Sequence, residues 1–119
     1  MERIIGGHLL FYRNMGTKKL KIYISGKMRG MDEQESRQLF SAAAEMFEEE
    51  GCKVINPWDI EDEKKKVCKD WGDFILYDLP ILKECDAIVM LPNWKDSFGA
   101  QCEWAFASGM GIKVLYLNL

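Results

Sequence analysis

The chain has 119 residues, of which 48% are hydrophobic and 29% charged, and its formal net charge is −3. This length and composition predict one globular domain with an ordinary core. Acidic and basic residues are interleaved along the chain, which argues against binding to polymeric nucleic acid. No apolar run approaches the roughly 20 residues of a membrane span, so we expect no membrane partner.

The cysteines are widely spaced, at Cys52, Cys68, Cys85 and Cys102. They form no C-x-x-C pair, and the single His8 lies far from them in the sequence. This spacing predicts neither a metal site nor a metal cofactor, and we expect no other cofactor. A disulfide framework is not expected either, which favours a reducing cytoplasm as the location.

Hydrophobic periodicity divides the chain into an N-terminal extension over 1–19, which has no clear pattern, and a domain over 20–119. Strands are predicted where β-branched and aromatic residues run together, and helices where apolar residues recur at three-to-four spacing. In chain order the predicted elements are a strand over 20–25, a helix over 33–50, a strand over 52–56, a polar connection with room for a short helical turn over 58–69, a helix over 70–84, a strand over 87–91, a helix over 97–110 and a strand over 112–117. The lysine run 64–66 is bordered by acidic residues and is predicted to be solvated.

Strands and helices alternate throughout the predicted domain. This order predicts an α/β fold of three layers, a flavodoxin- or Rossmann-like parallel sheet of about four to five strands with helices on both faces. Ligands of such sheets bind outside the carboxyl ends of the strands, where the strand order reverses. The loops 25–30, 56–59 and 92–97 are therefore expected to meet in one crevice.

Two carboxylates fall on apolar helix faces. Glu103 shares its face with Gly99 and Ala100, which are too small to fill the space beside it. Asp78 lies in the preceding predicted helix, over 70–84, at three-to-four spacing from apolar residues of that same helix. The two acids are a candidate pair for glycosidic cleavage, in which one acts as nucleophile and the other as acid. Hydrogen-bonded structural acids are the alternative.

The loop after the first predicted strand offers a second set of candidates. Gly26 and Gly30 would let backbone N–H groups approach a ligand, and Lys27 or Arg29 could meet an anion in this loop, which begins at Ser25. The loop matches neither the dinucleotide fingerprint nor the phosphate-binding P-loop. A tight turn with solvated basic residues is the alternative.

Aromatic residues near the strand ends are further candidates. Tyr23 lies on the same strand face as Ser25, and its hydroxyl could hold a carboxylate in the pocket. Trp58 and Trp94 each follow the end of a strand, where an aromatic ring could stack on a planar ligand. Core packing for the tyrosine and rim packing for the tryptophans are the alternatives.

A series of motifs occupies the segments 21–30, 56–57, 78–79, 85–88, 91–94 and 96–103. In this order they resemble the nucleoside 2-deoxyribosyltransferase-like superfamily, and most closely an uncharacterised (DUF-type) branch of bacteria and phages. It implies an enzyme that cleaves or exchanges the N-glycosidic bond of a nucleoside or nucleoside 5′-monophosphate. By motif, Glu103 aligns with the nucleophilic glutamate, Tyr23 with the tyrosine that orients it, and Asp78 with an aspartate that assists the base or the sugar.

The resemblance leaves the substrate open. Ser97 aligns with a phosphate-binding serine of monophosphate hydrolases, and Arg29 with their basic loop residue. Asp96 aligns instead with an aspartate of the transferases, and its charge would oppose a phosphate. Gly99 completes the substrate-binding candidates in this segment. The resemblance also implies a homodimer or higher homo-oligomer, and a non-catalytic nucleotide-binding or sensing module on the same fold is the alternative function.

Overall fold

The computed structural model of the chain describes residues 2–5 and 19–118. The strands are β1 (Glu2–Ile5), β2 (Lys21–Ser25), β3 (Lys53–Ile55), β4 (Ala87–Met90) and β5 (Lys113–Asn118). The helices are α1 (Glu33–Glu49), α2 (Glu61–Val67), α3 (Trp71–Lys83) and α4 (Phe98–Met110), with short 3₁₀ helices at Pro57–Ile60 and Trp94–Asp96. No helix in these described parts is both long and apolar enough to cross a bilayer.

The five strands form one parallel sheet in the order β1-β5-β4-β2-β3. The predicted three-layer α/β fold is therefore confirmed. Strand β1 pairs with β5 at the edge of the sheet, although the sequence over 1–19 shows no strand pattern. Residues 1 and 6–18 of that predicted extension lie outside the described residues.

The alternation of side chains along β2 divides the interior into two cores. Ile22 and Ile24 face one side of the sheet, where they pack with buried residues of α1 such as Phe40. Tyr23 faces the other side and packs with Leu82 of α3 and with residues of α4. Because successive side chains of a strand point to opposite faces, Ser25 lies on the same side as Tyr23. This side of the sheet carries the candidate site.

Helix α1 forms where the sequence predicts it. The Asp32 carboxylate accepts a hydrogen bond from the backbone N–H of Glu35, which satisfies one of the free N–H groups at the start of the helix. Phe40 and Phe47 are fully buried on one helix face, and burial of each side chain contributes about 1.5–3 kcal/mol to folding. Gly51, at φ +88°, ends the turn after the helix in a conformation that favours glycine.

The segment predicted as a polar connection over 58–69 is largely helical. Pro57 fits the first turn of its 3₁₀ helix, where no backbone N–H is needed, and α2 follows directly. The prediction that the whole lysine run 64–66 is solvated is wrong, because Lys64 is 2% exposed and pairs with a buried carboxylate. Helix α3 continues through Pro80 to Lys83.

The strand order reverses at β2. From β2 the chain moves to β3 on one side and then returns to β4 on the other. Crevices outside the carboxyl ends of strands at such a reversal are the usual ligand sites of open α/β sheets. Here Ser25 and Met90 end the two strands in matching register, so the crevice opens beyond them.

Candidate active site

Two hydroxyl groups of β2 hold the Glu103 carboxylate. The Tyr23 hydroxyl donates to Oε2 at 2.6 Å, and the Ser25 hydroxyl donates to Oε1 at 2.7 Å. Glu103 lies on the face of α4 that packs on the sheet, and it is 6% exposed. The helix spacing of Glu103 and the strand alternation of Tyr23 and Ser25 thus bring the three groups together.

Burial raises the pKa of the Glu103 carboxyl to about 7. The hydrogen bonds from Tyr23 and Ser25 lower this pKa, and so does the Lys64 ammonium, whereas the negative charge of Asp78 raises it. Burial also raises the pKa of Tyr23 well above its ordinary value, so its hydroxyl keeps the proton that it donates. The carboxylate is therefore poised between its two protonation states near neutral pH.

A buried ion pair forms the neighbouring wall. The Lys64 ammonium of α2 lies 3.1 Å and 3.2 Å from the two carboxylate oxygens of Asp78 on α3. Both residues are at most 6% exposed. Burial raises the pKa of Asp78, and the ammonium lowers it. A second carboxylate, compensated by a fixed cation, thus stands beside the first.

Arg29 reaches across the opening from the loop after β2. Its guanidinium carbon lies 4.5 Å from the centre of the Phe74 ring, and its Nη2 lies 3.5 Å from Oε1 of Glu61. The cation–π contact and the loose ion pair hold this half-exposed side chain over α2 and α3.

Glu103, the Lys64–Asp78 pair and Arg29 line one pocket of about 260 Å³, whereas Tyr23 and Ser25 lie behind Glu103 and are not part of its lining. Its lining residues are Gly26, Met28, Arg29, Glu61, Lys64, Trp71, Phe74, Ile75, Asp78, Asp96, Ser97, Phe98, Gly99, Ala100 and Glu103. The volume lies just below the 300–1,000 Å³ or so of sites for drug-sized ligands, so the pocket fits a small ligand. Among the described residues no group of three or more His, Cys, Asp or Glu side chains could hold a metal ion.

The loop beside the pocket is tightly packed at Gly26. A Cβ there would lie 2.8 Å from Cδ1 and 2.9 Å from Cβ of the fully buried Leu91. The backbone N–H of Lys27 donates to the Asn93 side chain at 3.1 Å. The loops after β2 and β4 are thus joined at the crevice, and only glycine fits at this contact.

Residues 20–116 match the family described as a domain of unknown function, DUF4406. The chain belongs to this family. A comparison with curated proteins finds no match. The matched range starts just before β2 and ends in β5, so every residue that holds Glu103 or lines the pocket lies within the DUF4406 domain, while β1 lies outside it.

The structure brings most of the sequence-predicted site residues together in this DUF4406 domain. Tyr23 and Ser25 bind the Glu103 carboxylate. The pocket lining includes the predicted residues Gly26, Arg29, Asp78, Asp96, Ser97, Gly99 and Glu103. Trp58, Trp94 and Gly30 are not part of this lining.

Trp58 instead supports the site loop from the other face of the sheet. It is 8% exposed in the core beside α1, and its indole N–H donates to the Ser36 hydroxyl at 3.1 Å. That hydroxyl donates in turn to the Lys27 carbonyl at 2.9 Å. Gly30 closes the loop at φ +79°, a conformation that favours glycine.

Trp94 forms an aromatic cluster with Trp104 and Tyr116, outside the Glu103 pocket. Its ring stacks on Trp104 with centroids 5.5 Å apart, and the Trp104 indole N–H donates to the Tyr116 hydroxyl at 2.6 Å. This cluster borders a groove at the carboxyl ends of β4 and β5, separate from the Glu103 pocket.

Ser97 and Asp96 stand at the start of α4, as predicted. The Ser97 hydroxyl is the helix cap and accepts from the Ala100 backbone N–H at 3.1 Å. Its hydrogen remains available to a ligand. Asp96 is exposed on the rim, so its charge adds to the negative field of the pocket mouth.

Sequence reasoning missed the contribution of α2, which supplies Glu61 and Lys64 to the pocket. Both residues are almost fully buried, although the segment reads as a solvated charge run. Their three-residue spacing, which puts them on one helix face, was the available signal. Phe74 of α3 was missed as well, although it lies at four-residue spacing from Asp78.

Proposed function

We propose that the chain cleaves or exchanges the N-glycosidic bond of a nucleoside or nucleoside 5′-monophosphate, with Glu103 as nucleophile. The observation that carries the proposal is the Glu103 carboxylate, buried at a pocket wall and oriented by Tyr23 and Ser25. The resemblance of the motifs to the nucleoside 2-deoxyribosyltransferase-like superfamily supports the same reaction.

The proposed reaction has two displacements. A Glu103 oxygen bonds to the anomeric carbon of the sugar while the bond from that carbon to the base nitrogen breaks, and the bonding electrons leave with the base, which takes a proton from solvent. Water then attacks the anomeric carbon, the ester bond to Glu103 breaks with its electrons returning to the carboxylate, and a proton passes to solvent. A second base in place of water gives transfer instead of hydrolysis. The carboxylate lowers the barrier by stabilising the oxocarbenium-like charge of each transition state.

The ionised form of Glu103 is the nucleophilic form, and burial opposes it. The hydroxyl donors of Tyr23 and Ser25 favour the ionised form, as does the nearby Lys64 charge. The ion pair with Lys64 gives Asp78 a fixed orientation, which suits it to accept a hydrogen bond from a sugar hydroxyl. Positioning and electrostatics are therefore the contributions that these residues would make.

The charge balance of the pocket favours a nucleoside over its monophosphate. Four carboxylates line it, those of Glu61, Asp78, Asp96 and Glu103, against two cations, Arg29 and Lys64. One of the cations is committed to Asp78. A phosphate would add negative charge to a site that already has an excess of it.

The Glu103→Gln variant tests the nucleophile. We expect free-base release from a panel of nucleosides and monophosphates, followed by chromatography, to fall by at least about 10³-fold, because the amide cannot form the glycosyl ester. Glu45→Gln is the matched control, since Glu45 is exposed on α1 and its loss removes the same charge. Undiminished base release by Glu103→Gln would show that the nucleophile assignment is wrong.

One observation favours a non-catalytic nucleotide-binding module as the second candidate. Both oxygens of Glu103 are already hydrogen-bonded, and its pKa of about 7 leaves a large protonated fraction at neutral pH. Calorimetry separates the two functions. Binding of a nucleoside or nucleotide without base release by the wild-type chain would select the module.

A further inference from the structure

Glu61 carries a buried carboxylate oxygen that the described residues do not satisfy. The side chain is 1% exposed and lines the pocket, and its Oε1 has no hydrogen-bond partner among those residues. A buried polar atom without a partner costs free energy that a folded chain usually avoids. The oxygen is therefore placed to accept a hydrogen bond from outside the described structure.

The neighbouring cations do not fill this role. The Arg29 guanidinium lies 3.5 Å from Oε1 without forming a hydrogen bond, and it packs over the Phe74 ring on a side chain that is 58% exposed. Lys64 directs its ammonium to both oxygens of Asp78. The pocket thus presents an acceptor without a hydrogen bond: Arg29 forms only a long ion pair with it, and Lys64 is bound to Asp78.

We infer that Glu61 is a specificity-determining residue that accepts a hydrogen bond from an uncharged N–H or O–H group of the ligand. The inference rests on the proposed function, since on a nucleoside such a group is either a sugar hydroxyl or an N–H of the base. The phosphate of a nucleoside monophosphate is mostly dianionic at neutral pH, so it rarely offers a proton and would be repelled by the carboxylate. Glu61 therefore selects the donor-bearing part of the nucleoside.

The expected signature is discrimination between a ligand and the analogue that lacks one donor. A site built to hydrogen-bond a substrate donor rejects that analogue strongly, because its own polar group is then left unpaired. With a charged acceptor, loss of the donor should weaken binding by at least about tenfold. A structural role of Glu61 would lower stability or binding equally for parent and analogue, and would leave their ratio unchanged.

The experiment measures nucleoside binding by calorimetry in the Glu103→Gln background, where turnover is removed. It compares the affinity of the chain that keeps Glu61 with the affinities of two variants, Glu61→Gln and Glu61→Leu. The leucine side chain has no hydrogen-bond acceptor. Glu63→Gln is the matched control, because Glu63 is an exposed acid on the same helix. One ligand arm removes the sugar hydroxyls in turn, and the other removes or methylates the N–H donors of the base. Thermal unfolding of each variant checks that it is folded.

We expect one analogue to lose at least about tenfold in affinity with Glu61 present. This penalty should shrink in Glu61→Gln, vanish in Glu61→Leu and persist in Glu63→Gln. The arm that responds identifies the sugar or the base as the source of the donor.

The refuting outcomes separate this inference from the proposed function. If nucleosides bind but the ratio of parent to analogue affinity is the same in all variants and in both arms, the role of Glu61 is overturned and the proposed function is not. If the chain binds and cleaves no nucleoside or nucleotide, the proposed function and this inference are both overturned. Binding with the expected ratios but without base release by the wild-type chain supports Glu61 while refuting catalysis.

Discussion

Replacement of Glu103 by glutamine should change how the stability of the fold depends on pH. Burial raises the pKa of Glu103 from 4.5 to about 7 in the folded chain. Between these two pKa values the folded state holds a proton that the unfolded state has released. The wild type therefore loses stability as the pH rises through this range. With 1.36 kcal/mol per pH unit, the loss assigned to this group is about 3 kcal/mol.

Urea unfolding of wild type and Glu103→Gln at about pH 4 and about pH 8 measures this contribution. The unfolding free energy of the variant relative to that of the wild type should be about 3 kcal/mol more favourable at the higher pH than at the lower pH. The reason is that the amide does not ionise, whereas the buried carboxyl does. The amide can still bond Tyr23 and Ser25, since hydroxyl groups both donate and accept. For the exposed Glu45→Gln the difference should stay within about 0.5 kcal/mol. A pH-independent difference for Glu103→Gln would refute the argument that burial governs this carboxylate.

Two further substitutions test the donor on β2 and the packing of the crevice. Tyr23→Phe removes a donor that lowers the pKa of Glu103, so the acidic limb of the kcat/KM profile should move up by about one to two pH units, and an unmoved limb would contradict this role. Gly26→Ala places its Cβ 2.8 Å from buried Leu91 and should cost about 1–3 kcal/mol in urea unfolding. Gly109→Ala on α4, whose Cβ meets nothing within 4 Å, should instead raise the unfolding free energy by about 0.5–1 kcal/mol. Equal effects of the two alanine substitutions would show that the close contact between Gly26 and Leu91 does not destabilise the first variant.

Local patterns were sufficient to predict the strands from β2 onward and the helices α1, α3 and α4, but not α2. The apolar run of β4 and the three-to-four spacing of α1 depend on a few neighbouring residues, and both elements form within a residue or so of the predicted bounds. Strand β1 has no such local signal. It is a strand because its backbone pairs with β5, which is distant in sequence, and pairing of this kind is not visible in a short window.

The candidate site was predictable where one element determines which way a side chain points. Glu103 and Tyr23 are examples, since helix and strand periodicity place them on faces that meet. Lys64 was not predictable in this way, because its burial depends on Asp78 of another helix. Trp58 follows a strand end as expected, yet it packs beside α1 on the opposite face of the sheet.

The alternation along β2 also limits how this protein can change over generations. Ile22 and Ile24 fill one core while Tyr23 and Ser25 hold Glu103 from the other side. Insertion or deletion of a single residue within β2 would exchange these sets, which would put a serine and a tyrosine into the aliphatic core and isoleucines against the carboxylate. A change in the length of this strand would therefore damage the core and the site together, unless a bulge absorbed the extra residue. The loops that follow the strands carry no such double constraint, so they are where changes in length can alter the pocket alone.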